Sequence, residues 1–320
     1  MAQKRRRLGR FTLKFFGWFI GVALVLSLGW SLGQTWLQTM ESKGCNAPKP
    51  LFHIDRFQKK QQLRFVVIGD AGTGRKAQKK VAETLATLCQ QKGCDFVLYL
   101  GDNIYPNGVS SVNDPRFETQ FAEVYQDVQL PFYAVLGNHD ARGDVEAQRL
   151  YSLKNPKWRM PEFNYRFSAG PVEFFGVNSN CIPLSWFWLK EQLSGVGTGK
   201  WRMVFTHHNL FGSGHHRDAP WPQKLWWKWN LAEQVDVFFS GHEHVMEHLQ
   251  IDGVPGEYFI SGAGGFPYRG GKGDSARPGS KFLNTSAGLL WVQAKVEQLE
   301  FEFFDLYGAP LYQYQKERTK

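Results

Sequence analysis

A chain of 320 residues can hold one large α/β domain or two small ones. Apolar residues at 42% and charged residues at 21% exclude a disordered polyelectrolyte. The net charge of +9 does not mark a nucleic-acid binder, and no nucleic-acid partner is expected: Lys4, Arg5, Arg6, Arg7, Arg10 and Lys14 supply six of those charges within the first 40 residues, which carry no acid, leaving +3 for residues 41–320.

Residues 1–14 form a basic head, and no further charge appears until Glu41. Residues 15–37, FFGWFIGVALVLSLGWSLGQTWL, reach the roughly 20 residues that a bilayer span requires. A basic head before such a run keeps the N-terminus in the cytoplasm and predicts a transmembrane signal anchor with an extracytoplasmic domain, periplasmic or cell-surface. Cleavage near Ser31-Leu32-Gly33 is the alternative and would give a secreted protein; Trp30 and Trp36 suit an interfacial belt and favour the anchor. Outside the cytoplasm disulfides persist, and Cys45, Cys89, Cys94 and Cys181 allow three pairings. Cys89 and Cys94 flank QQKG between a helix and a strand, which suits a local bridge.

Residues 38–62, with Pro48 and Pro50, read as a linker. From residue 63 to 320 one domain follows, in which apolar runs alternate with helical stretches. Strands are predicted at 63–69, 95–101, 131–137, 172–178, 201–207, 235–241 and 257–262, and closing strands within 288–308. Helices are predicted at 75–91, 117–125 and 186–193, and the alternation indicates an α/β fold. The Gly-rich stretch 262–280 reads as a loop.

Five of these strands end in a polar cluster. They are Gly69-Asp70-Ala71-Gly72, Gly101-Asp102-Asn103-Ile104-Tyr105, Gly137-Asn138-His139-Asp140, Thr206-His207-His208 and Gly241-His242-Glu243-His244. Carboxyl ends of strands are where ligands bind in open α/β sheets, and oxygen and imidazole donors suit Fe, Mn or Zn. Any one segment could be an ordinary turn. Five in succession, all carrying metal-type donors, indicate a metal site.

The set GD-x-G, GD-x-x-Y, GNH-D, strand-end His and GH-x-H resembles that of the calcineurin-like metallophosphoesterases, and within them the small, tartrate-resistant type of purple acid phosphatase. The stretch 147–167, AQRLYSLKNPKWRMPEFNYRF, is also similar to the segment after GNHD in those enzymes. The resemblance covers about residues 63–312. It implies a four-layer α-β-β-α sandwich, preceded here by the N-terminal transmembrane helix, and a phosphomonoesterase acting on phosphorylated small molecules. It also implies a dinuclear centre: Fe(III) held by Asp70, Asp102, Tyr105 and His244, and Fe(II), Zn or Mn held by Asp102, Asn138, His207 and His242, with Asp102 as the bridge. Two metals about 3.5–4 Å apart clamp a phosphate, lower the pKa of a bound water and neutralise developing charge. Tyr105 separates the purple enzymes from most of the superfamily, because its phenolate stabilises Fe(III) and gives the colour. His139 and His216 are implied as the histidines that contact the substrate phosphate and assist the leaving group, with His215 a neighbouring competitor for the second role.

This sequence departs from the pattern at Ala71, where a tryptophan is common, at Asn178, where an aspartate is common, and in the short stretch 178–184. An Mn- or Zn-dependent phosphodiesterase or nucleotide pyrophosphatase is the alternative enzyme, and an envelope scaffold with a degenerate site is the non-enzymatic one. The P-loop-like GDAGTGRK (69–76) lacks the Lys-Ser/Thr pair, and HEHVMEH (242–248) lacks zinc-protease spacing, so His248 and Glu247 are expected at the surface or behind the metal ligands. Trp221, Trp226, Trp227 and Trp229 are expected to pack a helix rather than to form a substrate- or membrane-facing rim. Tyr268 and Arg269 in the Gly-rich loop are a speculative substrate contact.

Overall fold

The computed structural model describes residues 39, 43–45, 57, 59–197, 199–266 and 275–318. The basic head, the apolar run 15–37, Tyr268 and Arg269 lie outside them, as does most of the stretch 38–62. Among the described residues no helix is long and apolar enough to cross a membrane.

The strands, in chain order, are β1 (Gln62–Ile68), β2 (Phe96–Tyr99), β3 (Phe132–Ala134), β4 (Trp158–Arg159), β5 (Tyr165–Ala169), β6 (Val172–Val177), β7 (Trp201–Thr206), β8 (Val237–Ser240), β9 (Met246–Ile251), β10 (Val254–Ser261), β11 (Ser280–Asn284), β12 (Gly288–Lys295), β13 (Gln298–Asp305) and β14 (Pro310–Glu317). They form two seven-stranded sheets, ordered β14-β13-β12-β1-β2-β3-β4 and β11-β9-β10-β8-β7-β6-β5. The helices α1 (Lys76–Lys92), α2 (Val145–Tyr151), α3 (Leu184–Ser194) and α4 (Trp221–Asn230) flank them. Within each sheet the middle strands run parallel: β1 beside β2 and β2 beside β3, and β6 beside β7 and β7 beside β8.

The two-residue period of a strand explains the layering. In β1, Phe65 and Val67 point into the core between the sheets, where Phe65 meets Phe174 of β6 edge-on at 5.3 Å. Val66 and Ile68 point the other way, onto Val81 and Leu85 of α1. On the far side, Phe175 and Val177 of β6 pack with Trp186 and Leu189 of α3 and Trp227 of α4. The order of layers is therefore helix, sheet, sheet, helix, as expected. The tryptophan cluster divides: Trp227 is buried with its indole N–H donated to the Tyr258 hydroxyl at 2.9 Å, and Trp226 stacks on Trp186, whereas Trp221 and Trp229 are 72% and 73% exposed.

Several elements differ from the sequence reading. The stretch 117–125 contains a π-helical turn, Glu118–Ala122, in place of a regular helix. Helix α2 was not anticipated, although Asp144 caps it by accepting the Ala147 N–H at 3.0 Å. Strand β9 runs through Glu247 and His248, which are buried and not at the surface. His248 lies within hydrogen-bond distance of Glu257 (3.0 Å) and of the Tyr312 hydroxyl (2.9 Å), and the Ser213 N–H donates to Glu247 at 2.9 Å.

All four cysteines form bridges: Cys89 with Cys94, as expected, and Cys45 with Cys181. The second joins the described N-terminal residues to the domain across 136 positions, and Phe57 is buried in the core between the sheets. Loop-closure entropy gives a long cross-link more weight than a short one, about 5 kcal/mol against about 2 kcal/mol on the chain-entropy model. The Cys45→Ser/Cys181→Ser variant should therefore lose more stability than Cys89→Ser/Cys94→Ser when unfolded in denaturant without reductant. Equal losses would count against the long-range constraint.

Candidate dinuclear metal centre

The predicted donors come from both sheets and meet at their carboxyl edges. Asp70 follows β1, Asp102 and Tyr105 follow β2, and Asn138 follows β3; His207 follows β7, and His242 and His244 follow β8. The first sheet thus supplies oxygen donors and the second supplies imidazoles. Cross-sheet bonds fix the approach: the Gly69 N–H donates to Ser261 O at 2.8 Å, and the His242 N–H donates to Asp70 Oδ2 at 2.8 Å.

The backbone is bent to make this possible. Asp70, Asp102 and His242 have φ of 55°, 50° and 68°, a region that non-glycine residues visit rarely and at a cost of about 1–3 kcal/mol each. Gly137 is required for a different reason. A Cβ there would lie 2.2 Å from both Asp102 N and Asp102 Oδ1, so the GNH turn can press against the Asp102 carboxylate only without a side chain.

The side chains then fall into one connected group. The Tyr105 hydroxyl donates to Asp102 Oδ2 at 2.9 Å and lies 3.3 Å from Asp70 Oδ1 and 3.4 Å from His244 Nε2. His244 Nε2 is 3.5 Å from Asp70 Oδ1. On the other side His207 Nε2 is 2.9 Å from Asn138 Oδ1, 3.2 Å from His242 Nδ1 and 3.5 Å from Asp102 Oδ1. The two Asp102 oxygens therefore face two different donor sets, the arrangement expected of a bridge.

The donor set fits metal ions on three grounds. First, His207 Nδ1 donates to Leu100 O at 3.0 Å, which leaves Nε2 turned to the site, where the acceptors Asn138 Oδ1 and Asp102 Oδ1 converge on it. Converging acceptors are satisfied by a cation. Second, Asp70 and Asp102 are buried, and neither pairs with a Lys or Arg among the described residues; their ion-pair partners are histidines only. Third, burial and the surrounding imidazoles of His207, His208, His216 and His244 hold the His242 pKa far below its ordinary value, which keeps the ring in the neutral form that ligates. Burial raises the Tyr105 pKa well above that of an ordinary phenol, with Asp70 and Asp102 adding to it, so a phenolate needs a cation in place of the proton now given to Asp102.

His139 and His216 border this group. The His139 N–H donates to Asp102 Oδ1 at 2.8 Å, its Nδ1 donates to Pro106 O at 2.5 Å, and its Nε2 is left facing the site, 3.9 Å from Asp102 Oδ2. The His216 ring stacks on His242 with centroids 4.1 Å apart, and this contact separates it from its neighbour His215, which is exposed as His216 is.

Two residues here were not assigned a role from the sequence. His208 has a ring nitrogen within 4.8 Å of donor nitrogens of His207 and His242; burial and the His207 ring bring its pKa down to about 3, and its Nδ1 is 2.7 Å from the Ser179 hydroxyl. The tandem His207-His208 was the available signal. Asp140 is buried and accepts N–H groups from Gly137 (2.8 Å), Asn103 (3.0 Å) and Ile104 (3.2 Å), and the Gln148 amide at 2.8 Å. It ties the GDN turn to the GNH turn.

Two outcomes follow from these contacts. Asp140→Ala strands three buried backbone N–H groups, so it should cost about 3 kcal/mol or more and weaken metal retention, measured by denaturant unfolding and metal content. Retained stability and metal would remove Asp140 as the tie. The second concerns pH. A histidine held low in the folded state and near 6.5 when unfolded takes up protons on unfolding, so its contribution is present above about pH 6.5 and lost as pH falls toward the folded value. Chelated protein should lose thermal stability between about pH 7 and about pH 5, and His208→Gln should lose less of it. Equal losses in the two proteins would clear His208.

Comparison with known proteins agrees with this geometry. The family model for calcineurin-like phosphoesterases matches residues 63–246. Purple acid phosphatase 3 of Arabidopsis thaliana is 30% identical over 285 residues, 79% of this chain and 77% of that protein. Tartrate-resistant acid phosphatase type 5 of Homo sapiens is 30% identical over 242 residues, 64% of this chain and 73% of that protein. Two solved structures share the fold. GAP50, the anchor in the inner membrane complex of Plasmodium, has a TM-score of 0.69 at 23% identity, covering 82% of this chain and 90% of that one. Purple acid phosphatase PPD1 from yellow lupin seeds has a TM-score of 0.65 at 17% identity, covering 80% and 54%. The chain belongs to the calcineurin-like phosphoesterase family and, within it, to the purple acid phosphatases, hydrolases of phosphate esters that use a dinuclear metal centre.

Proposed function

We propose that this phosphoesterase prefers phosphate monoesters and carries Fe(III) on Asp70, Asp102, Tyr105 and His244, with Fe(II), Zn or Mn on Asp102, Asn138, His207 and His242. The observation that carries the reading is the place of the Tyr105 oxygen, 2.9 Å from Asp102, 3.3 Å from Asp70 and 3.4 Å from His244. A phenol buried among two carboxylates and an imidazole suits a hard trivalent ion.

When bound, the two ions supply positive charge for the ester phosphate and lower the pKa of the attacking water. The chain's own groups do the rest. Pro106 O holds the Nδ1–H of His139, which aims Nε2 at the substrate, where it can bond the phosphate and give a proton to the leaving oxygen. Burial, His215 and His244 keep the His216 pKa below its ordinary value, and a phosphate dianion beside the ring draws it back up. Asp140 and the Gly137 turn keep Asp102 in register between the two donor sets.

We propose further that residues 15–37 anchor the chain and that residues 63–320 act on the outer side of the membrane. Support comes from the basic head before the apolar run and from four cysteines that are all bridged, as in proteins of oxidising compartments.

The purified protein should contain iron and absorb in the visible, and Tyr105→Phe should abolish the band. An iron-free, colourless protein with full activity would sink the ferric assignment. Asp102→Asn should lower kcat for p-nitrophenyl phosphate by more than about a hundredfold, because both donor sets lose a charged oxygen. The full chain should stay with the membrane through an alkaline wash; release into the supernatant would refute the anchor.

A further inference from the structure

The helical layer outside the second sheet leaves apolar surface uncovered. Seven large apolar side chains are exposed among the described residues, and four of them, Leu184, Phe187, Trp221 and Trp229, belong to α3 and α4. The two helices lie side by side: Trp226 of α4 stacks on Trp186 of α3 at 5.3 Å and meets Phe187 edge-on at 5.5 Å, and Lys190 donates to Asn230 Oδ1 at 2.7 Å. Trp221, Leu225 and Trp229 recur every four residues and share one side of α4, while Leu184 and Phe187 share one side of α3. Exposed aromatic surface that is continuous in this way marks an interaction site.

What covers it follows from where the chain enters the domain. Asn178 Nδ2 donates to the Lys43 carbonyl at 2.9 Å, and Cys45 is bonded to Cys181, which stands just ahead of Leu184 at the start of α3. The entry point is therefore clamped beside the exposed face. Only residues 38–42 separate it from the apolar run 15–37, and fully extended they span about 20 Å at most. A bilayer that holds residues 15–37 is thus kept close to these aromatics, and a short tether makes even a weak second contact effective. Indoles, with an apolar body and one N–H, suit the boundary between lipid and water. Lys190 and Lys228, exposed on the same helices, suit lipid phosphates; α4 carries no acid and α3 carries one, Glu191.

We propose that the face formed by Leu184, Phe187, Trp221, Trp226 and Trp229 lies against the bilayer that anchors the chain, with its indoles at the level of the lipid headgroups. The inference rests on the anchor reading given above. It makes α3 and α4 the membrane side of the domain and α1 the solvent side.

The test uses the full chain in nanodiscs of phosphatidylcholine and phosphatidylglycerol, one chain per disc, with hydroxyl-radical footprinting read by mass spectrometry. Tyr307 is the internal control. It is 76% exposed, against 72% and 73% for Trp221 and Trp229, and it lies beside α1 on the opposite helical layer, where Thr84 donates to Leu306 O at 2.7 Å. Corrected for intrinsic reactivity, Trp221 and Trp229 should be modified at no more than about a third of the rate of Tyr307. In Phe187→Glu/Trp229→Glu, where both substitutions fall at exposed positions, Trp221 should return to the rate of Tyr307. Equal rates in the native chain overturn the face, as does Trp221 protection unmoved by the double variant. Protection that appears only with two chains per disc assigns the face to a second copy and overturns the bilayer contact. A chain that does not enter the discs defeats the anchor reading and this inference with it, whereas equal rates in a disc-bound chain leave the anchor standing.

Discussion

Two carboxylates, Asp70 and Asp102, are buried within 3.3 Å and 2.9 Å of one phenol oxygen, and among the described residues their ion-pair partners are imidazoles alone. Burying ionised carboxylates without compensation is costly. Cations remove that cost, and in doing so they would tie the two sheets through their ligands. The carboxylates and the amide belong to the first sheet and the imidazoles to the second, so each donor set draws on both. The electrostatic demand at the site is thus also a demand on the sandwich.

The backbone meets that demand with strain. Three of the donor residues sit at positive φ, and the neighbouring turn comes within a side chain's width of Asp102. Such conformations persist only where surrounding contacts over-determine them. Here those contacts are the inter-sheet bonds from Gly69 and His242, and the Asp140 carboxylate that collects three backbone N–H groups from two turns. Asp140 touches no predicted ligand side chain, yet the place of Asp102 depends on it.

How much of this was legible in the sequence follows from distance along the chain. Asp70, Asp102, Asn138 and His242 each follow a glycine at the end of an apolar strand, and Tyr105, His207 and His244 stand within four residues of such a predicted strand end, a local pattern; the structure brings all seven together with His139 and His216 beside them. What depends on remote partners was not legible. Glu247 and His248 are polar and look exposed, but Ser213, Glu257 and Tyr312 satisfy them inside the fold, so β9 was missed. The π-helical turn at Glu118–Ala122 differs from a regular helix by hydrogen-bond register alone, which composition does not report. Asp144 did announce α2 by its capping position, and that signal was available.

The substitution of Asn178 for the expected aspartate has its physical account in the same long-range contacts. A carboxylate could only accept at that position, whereas the Asn178 amide donates to the carbonyls of Lys43 (2.9 Å) and Gly44 (3.3 Å) and accepts from Asn180 N at 3.2 Å. The departure is therefore matched to the N-terminal segment that lies across it. An aspartate there would set a negative charge against two carbonyl oxygens and loosen the segment 43–45 from the end of β6. One amide nitrogen thus connects a residue change at the end of β6 to a cystine spanning 136 positions.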